Sequence, residues 1–231
     1  MKLVVTCEHA FNAIPKEYFY LFKGATEVLE THRGYDPGAF DLYNKVSKLA
    51  NFGMYQKKGR LLVEVNRSEN HPQLFSEFTK VLSKSEKEKI LRKYYFPYRN
   101  AVEAKISEYT EVGEEIWHFS VHSFTPVLNG VQRNADIGLL YDPSRTTEKD
   151  FSVLFKKLLN KELPELKIRY NYPYLGKADG FTTYLRRKFP KNYSGIELEV
   201  NQKFVQDNKI GEGLKMAIIG SLKATWLSLE K

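Results

Sequence analysis

A single cysteine, Cys7, in 231 residues leaves no intrachain disulfide to form. Stability must come from packing and hydrogen bonds, and this cysteine usage fits a reducing, cytoplasmic setting. No apolar run approaches the roughly 18 residues of a membrane span. The opening stretch MKLVVTCEHAF has one lysine and a short apolar segment, without the long apolar region and small-residue cleavage site of a secretory signal. There is no Gly-x-Ser-x-Gly elbow, which argues against a serine hydrolase of that type. Neither common glycine-rich phosphate loop is present, which argues against nucleotide binding through one. With no repeat and no low-complexity tract, residues 1–231 read as one domain.

What is present describes an ordinary folded chain. Hydrophobic residues make up 42% and charged residues 28%, and fifteen Phe and fifteen Tyr supply enough aromatic surface to argue against disorder. The formal charge of +8 could attract a polyanion or small acidic substrates. Its densest clusters, Lys156-Lys157 and Arg186-Arg187-Lys188, are short, and positive residues elsewhere are mixed with glutamates. A solvated basic surface is the simpler reading.

Five apolar runs read as buried strands: Leu3 to Thr6, Arg60 to Val65, Ile116 to Val121, Ile137 to Tyr141 and Gly195 to Val200. Helical periodicity lies between them, from Ala39 to Ala50, from Ser83 to Val112 with a break expected near Phe96 because of Pro97, from Thr147 to Leu163, and from Gly213 to Leu229. Ser83 with Glu86, or Ser85 with Glu88, would cap the second of these. Strands alternating with helices predict an α/β fold, a three-layer α/β/α sandwich around a mostly parallel, mixed sheet. Ligands in such sheets bind beyond the carboxyl ends of the strands.

Polar groups collect at those ends. The first run leads into Glu8-His9, the second into Asn66-Arg67 and the third into His122-Ser123, while the last carries Glu197 and Glu199. Alternation along IWHFSVH sets His118, Ser120 and His122 on one face and Trp117, Phe119 and Val121 on the other. His118 lies about 13 Å before the strand end at roughly 3.3 Å per residue, which makes it structural. Two histidines and a carboxylate suit a catalytic Zn²⁺ that keeps one position for water. Glu199 or Glu197 would serve as general base. Arg67, and Arg133 in GVQRNADIG, are candidates for holding a substrate carboxylate.

In order along the chain, the segments CEHAFNAIP, THRGYDPGAFDLYNKVSK, LLVEVNRSENHPQLFSE, VHSFTPVLNGVQRNADIGLLYDPSR, NYPYLGKADGFTTYLRR and GIELEVNQ resemble the N-formylglutamate amidohydrolase family. The resemblance implies a phosphorylase/hydrolase-like fold and hydrolysis of an N-acyl amino acid. For the namesake enzymes that is N-formyl-L-glutamate to L-glutamate and formate, in histidine degradation. It also implies a small anionic substrate and no nucleic-acid partner.

A more distant similarity runs to zinc carboxypeptidases and aspartoacylase. It matches His9 and His122 to metal ligands, Asn66-Arg67 to a carboxylate-binding pair, and Glu199 or Glu197 to the base, with Glu199 favoured by the Val200-Asn201-Gln202 that follows. Those enzymes carry Glu three residues after the first histidine, where this chain has Asn12. The third ligand therefore stands open between Asp36 and Glu8, with His32 behind them. Cys7 reads as a small buried residue rather than a thiolate ligand. Two other readings compete: an amidase for a larger peptide or cell-wall fragment, and a non-catalytic polyanion-binding protein.

Overall fold

The computed structural model describes residues 1–229. Its centre is a six-stranded sheet in the order β2-β1-β3-β8-β6-β7. These strands are β1 (Lys2–Cys7), β2 (Phe52–Tyr55), β3 (Ile116–Phe124), β6 (Ile137–Leu140), β7 (Ile168–Tyr170) and β8 (Tyr193–Asn201). All neighbours pair in parallel except β6 and β8, which run antiparallel. Two hairpins lie outside the sheet, β4 (Val127–Leu128) with β5 (Val131–Gln132), and β9 (Val205–Gln206) with β10 (Lys209–Ile210).

Helices cover both faces. On one, Leu3, Val5 and Cys7 of β1, Trp117, Phe119 and Val121 of β3, and Ile196, Leu198 and Val200 of β8 share a core with α1 (Ala39–Val46), α4 (Thr146–Glu162) and α6 (Glu212–Leu229). On the other, α2 (Lys84–Ile90), α3 (Phe96–Glu111) and α5 (Phe181–Lys188) pack with Val4, Tyr193 and the segment around Leu62 to Leu74. The expected mixed α/β/α sandwich is therefore the observed fold. Among the described residues, no helix is long and apolar enough to cross a membrane.

The run from Arg60 to Val65 is not a strand. Its backbone closes local turns, Leu62 N–H to Gly59 C=O at 3.0 Å and Arg67 N–H to Glu64 C=O at 3.1 Å, while Leu61, Leu62, Val63 and Val65 remain buried. A short apolar run records burial, and burial does not require a ladder. The edge position goes instead to Phe52–Tyr55, where only partly buried residues blunt the alternation. The short strand Ile168–Tyr170 was likewise not anticipated. The helix beginning at Ser83 is capped by that residue's hydroxyl, which accepts from the Glu86 N–H at 3.2 Å. The Glu86 carboxylate goes to Tyr18 and Lys89 rather than closing the box. Pro97 sits at the start of α3, just after a π-helical turn over Leu91–Tyr95. The wider turn takes up the missing N–H and the ring's bulk.

His118 is buried in mid-strand, 2.6 Å from the Thr6 hydroxyl and 2.7 Å from the Tyr193 hydroxyl. Burial lowers its pKa to about 4. The unfolded chain therefore takes up a proton near pH 6.5 that the folded protein refuses until about pH 4. Stability from this group is complete above pH 6.5 and is lost as the pH falls toward 4, by about 3 kcal/mol in all. In urea titrations across this range, His118→Asn is expected to flatten the acid limb of stability, whatever it costs at neutral pH.

Candidate active site

Two parallel strands deliver the histidines. The register of β3 against β1 and β8 places Ser120 beside Thr6 and Glu197, and His122 beside Glu199. His9 follows the end of β1, and Asp36 comes from a loop tied back to it, its N–H donating to the His9 carbonyl at 2.9 Å. One Asp36 carboxylate oxygen, Oδ2, lies 3.2 Å from His9 Nδ1 and 3.0 Å from His122 Nδ1. The two Nδ1 atoms are 3.2 Å apart. All three residues are buried, and together they form a group able to hold a metal ion.

The opposite ring nitrogens are pinned by carboxylates. Glu64 Oε1 sits 2.7 Å from His9 Nε2. Glu8 Oε2 sits 3.1 Å from His122 Nε2 and also accepts from the Ser120 hydroxyl at 2.5 Å. Tyr98 donates to the other Glu8 oxygen at 2.9 Å. Each imidazole is thus fixed with Nε2 toward a glutamate and Nδ1 toward Asp36, the arrangement that orients ligand histidines in metal sites. Arg60 closes the ring, with Nε 2.6 Å from Glu64 and Nη1 3.3 Å from Asp36.

The electrostatics follow from this enclosure. Burial would raise the carboxyl pKa values, but His122 outweighs it at Glu8, the two histidines at Asp36, and Arg60 with His9 at Glu64, so all three lie well below the carboxylate range. Burial would lower the imidazole pKa values, but these carboxylates raise both, His122 strongly. Three carboxylates against one guanidinium leave two negative charges in a dry site. Two imidazolium protons, or one divalent cation, neutralise them.

Beside His122 on the neighbouring strand stands a carboxyl of the opposite character. Glu199 is buried, its Oε2 has no hydrogen-bond partner among the described residues, and desolvation pushes its pKa up to about 8. Glu197, two residues earlier on the same face, is occupied by the Thr182 hydroxyl. Both line a cavity of about 240 Å³ together with the two histidines, Asp36 and Arg67.

Asn66 and Arg67 do not end a strand, yet they reach the cavity. The Asn66 side-chain oxygen accepts from Phe181 N–H at 2.8 Å, which leaves its amide NH₂ as the free end. Arg67 donates to the Asp179 carbonyl. Arg133 is set back. Its Nη2 reaches the Tyr174 hydroxyl at 3.0 Å, and it is Tyr174 that lines the cavity. Among the residues considered as ligands, His32 and Glu8 stand outside the His9–Asp36–His122 group. Asn12 donates to the Leu29 carbonyl at 3.0 Å and plays a structural part. Cys7 is fully buried, and burial raises its thiol pKa well above the ordinary value.

Arg60 and Glu64 were not singled out from the sequence. The one available signal was an acid inside the apolar run LLVEV. Arg186, which sequence grouped with surface charge, is buried against Glu148 at 2.9 Å and donates to the Gly176 and Gly195 carbonyls at 2.6 and 2.7 Å. It thereby holds down the segment that supplies Tyr174, Leu175, Ala178 and Asp179 to the cavity.

Fold and site together define an α/β protein with a buried, metal-competent His–Asp–His group at the carboxyl ends of parallel strands. The family model for N-formylglutamate amidohydrolases matches residues 1–205, and the chain belongs to that family. Its chemistry is hydrolysis of an amide bond.

Among solved structures, a gene product of Agrobacterium tumefaciens is 25% identical, with a TM-score of 0.82 over 100% of this chain and 92% of its own. The N-formylglutamate amidohydrolase of Ralstonia eutropha shares the fold at 17% identity, with a TM-score of 0.72 over 100% of this chain and 94% of its own. A metallo-carboxypeptidase of Burkholderia cenocepacia, 10% identical over 99% of this chain and 57% of its own, reaches a TM-score of only 0.39, too weak a likeness to argue from. No curated protein matched the sequence.

The segment over the cavity packs directly on β6 because glycines allow it. A Cβ at Gly138 would collide with the Tyr172 carbonyl, and one at Gly176 with the Tyr141 backbone. Gly138 also pairs with Glu199 across β6 and β8. Gly138→Ala is expected to push this segment outward and cost about 1–3 kcal/mol, as overpacking does. Thermal unfolding checks the stability, and a rise in KM larger than the fall in kcat would locate the damage at the cavity wall.

Proposed function

We propose that this protein is a zinc-dependent amidohydrolase acting on N-acyl acidic amino acids, with N-formyl-L-glutamate as substrate and L-glutamate and formate as products. The observation that carries this reading is the pairing of a buried His9–Asp36–His122 group with the buried carboxyl of Glu199, whose Oε2 has no partner among the described residues, in one small cavity.

His9, Asp36 and His122 would hold the ion. The donor set fits a catalytic zinc site, with two imidazoles, one carboxylate and a fourth position left over, and a divalent cation matches the two uncompensated charges. When bound, the ion supplies Lewis-acid polarisation of the amide carbonyl and lowers the pKa of water nearby. Glu64 and Glu8 keep the two rings in register. Glu8 is in this reading an orienting group behind His122 rather than the third ligand.

Glu199 does the proton work. With a divalent cation held by the neighbouring histidines, the ionised form of this buried carboxyl would be favoured, and that carboxylate could take the proton of the attacking water and, now protonated, return it to the amine nitrogen as the C–N bond breaks. Glu197 is less suited because Thr182 occupies it. Arg67 and the NH₂ of Asn66 would receive the substrate's carboxylate. Arg133 would contribute indirectly, by fixing Tyr174 at the rim.

Three measurements test this. The metal-loaded protein is expected to release formate from N-formyl-L-glutamate and to stop when a chelator is added; no turnover on a panel of N-formyl and N-acetyl amino acids would reject the substrate. Asp36→Ala is expected to lose stoichiometric metal, and Glu8→Gln only to weaken it by roughly 10–100-fold; equal loss from both would make Glu8 a ligand. Glu199→Gln is expected to keep its metal while kcat falls by about 10²–10⁴-fold, and a smaller fall with a larger effect of Glu197→Gln would exchange their roles.

A further inference from the structure

Asn66 and Arg67 reach the catalytic cavity without a strand ladder behind them, and side chains fix their backbone instead. The Arg67 carbonyl accepts from the Tyr95 hydroxyl at 2.7 Å and from Arg99 Nη1 at 3.2 Å. The same Nη1 donates to the Val65 carbonyl at 2.8 Å. Tyr95 closes the π-helical turn and Arg99 lies four residues on, in α3, so the two share one face.

Arg99 is buried, at 4% exposure, and makes no ion pair among the described residues. Glu103, one turn on, is taken by Tyr184 and Lys188. Glu8, Asp179 and Glu103 act on Arg99 only from beyond ion-pair distance. Its guanidinium lies instead over three rings, 4.4 Å from the centroid of Phe181, 4.5 Å from Tyr184 and 5.0 Å from Tyr95. Phe181 serves the same segment a second time, since its N–H donates to Asn66 Oδ1 at 2.8 Å. A planar guanidinium can stack on rings and donate from its edge at once, which an ammonium cannot do. An apolar side chain could fill this space, but it would take a donor from two buried carbonyls.

We propose that Arg99, with Tyr95, is a positioning residue for substrate binding. It fixes the backbone from Val65 to Arg67 so that the Arg67 guanidinium and the Asn66 NH₂ meet the substrate's carboxylate together. The inference rests on the proposed amidohydrolase reading for what Asn66 and Arg67 receive. Arg99 and Tyr95 stand outside the cavity lining, so they act through Arg67 and not on substrate. The effect falls on binding, because the groups that would break the bond stand on other elements.

The test measures kcat and KM for N-formyl-L-glutamate, and calorimetric binding of L-glutamate to the zinc-loaded protein. The variants are Tyr95→Phe, Arg99→Met, Arg67→Ala and the Tyr95→Phe/Arg67→Ala pair. Tyr95→Phe removes one hydroxyl and keeps the ring. It is expected to raise KM and weaken L-glutamate binding roughly threefold to tenfold, the size of one hydrogen bond. Its kcat and zinc stoichiometry should stay within about twofold, as when ground-state and transition-state binding are lost equally. Arg99→Met should weaken binding by roughly tenfold or more, since a charged donor is lost. In the Arg67→Ala background, Tyr95→Phe should change kcat/KM hardly at all. Ile106→Val, buried on the same helix, is expected to lower Tm and leave KM alone, which separates positioning from general loosening. A Tyr95→Phe effect that persists in full without Arg67, that falls on kcat or zinc instead of KM, or that is missing would overturn the proposal. If N-formyl-L-glutamate is not cleaved but L-glutamate binding shows the coupling of Tyr95 to Arg67, the positioning stands and the reaction is wrong. If the wild type neither cleaves the one nor binds the other, the positioning proposal falls with the substrate.

Discussion

The site depends on one constraint: carboxylates taken out of water must be compensated, and here they compensate through imidazoles. Glu8, Asp36 and Glu64 are all buried, and each touches a histidine ring. Removing any member strands a charge in a low-dielectric interior, which is costlier than the pair's net contribution to stability. The network therefore fixes the geometry of both rings. It turns the two Nδ1 atoms toward the same Asp36 oxygen and leaves nowhere else for them to point. Tyr98 on α3 and Ser120 on β3 extend the network into the sheet and the helix layer, so the site is continuous with the core rather than placed on it.

Glu199 shows how burial without compensation gives the reverse result. It lies in the same cavity as Asp36, yet its Oε2 has no partner among the described residues and it holds its proton into the neutral range. Two carboxyls in one cavity, one driven far down and one up, are what the proposed division between holding charge and moving a proton requires. The separation arises from desolvation at Glu199 and from the histidine contacts at Asp36. His122 and Glu199 are partners across β3 and β8, and Asp36 arrives from a loop on the other side of the histidine.

Much of the frame was legible in the amino acids. Alternation in IWHFSVH placed His118, Ser120 and His122 on one face, and the structure has them there, with Trp117, Phe119 and Val121 in the opposite core. Four helical stretches lay close to their expected bounds, because each has a cap, a breaker or a long periodic face, whereas α5 over Phe181–Lys188 was not anticipated. The misreading of Arg60 to Val65 as a strand came from treating a buried run as a paired one. Its side chains are as hidden as a strand's would be, and only the partner of each backbone N–H separates the two cases. Arg186 misled in the opposite sense, since a charge beside two others reads as surface until Glu148 is found buried next to it.

The sequence by itself determined the α/β class, the strand ends that carry His9 and His122, and Glu197 and Glu199 as candidate bases, because side-chain periodicity and strand polarity are local properties, while the family resemblance raised Asp36 and Glu8 as candidate third ligands. Only the tertiary structure decided where those candidates stand. It set Asp36 between the Nδ1 atoms and Glu8 behind His122, brought in Arg60 and Glu64, and left Glu199 free while Thr182 occupied Glu197. Each of these outcomes depends on distances between residues from 15 to more than 100 positions apart. Solvent exclusion and pairwise charge contact are set by the packed chain, and no window of sequence contains them.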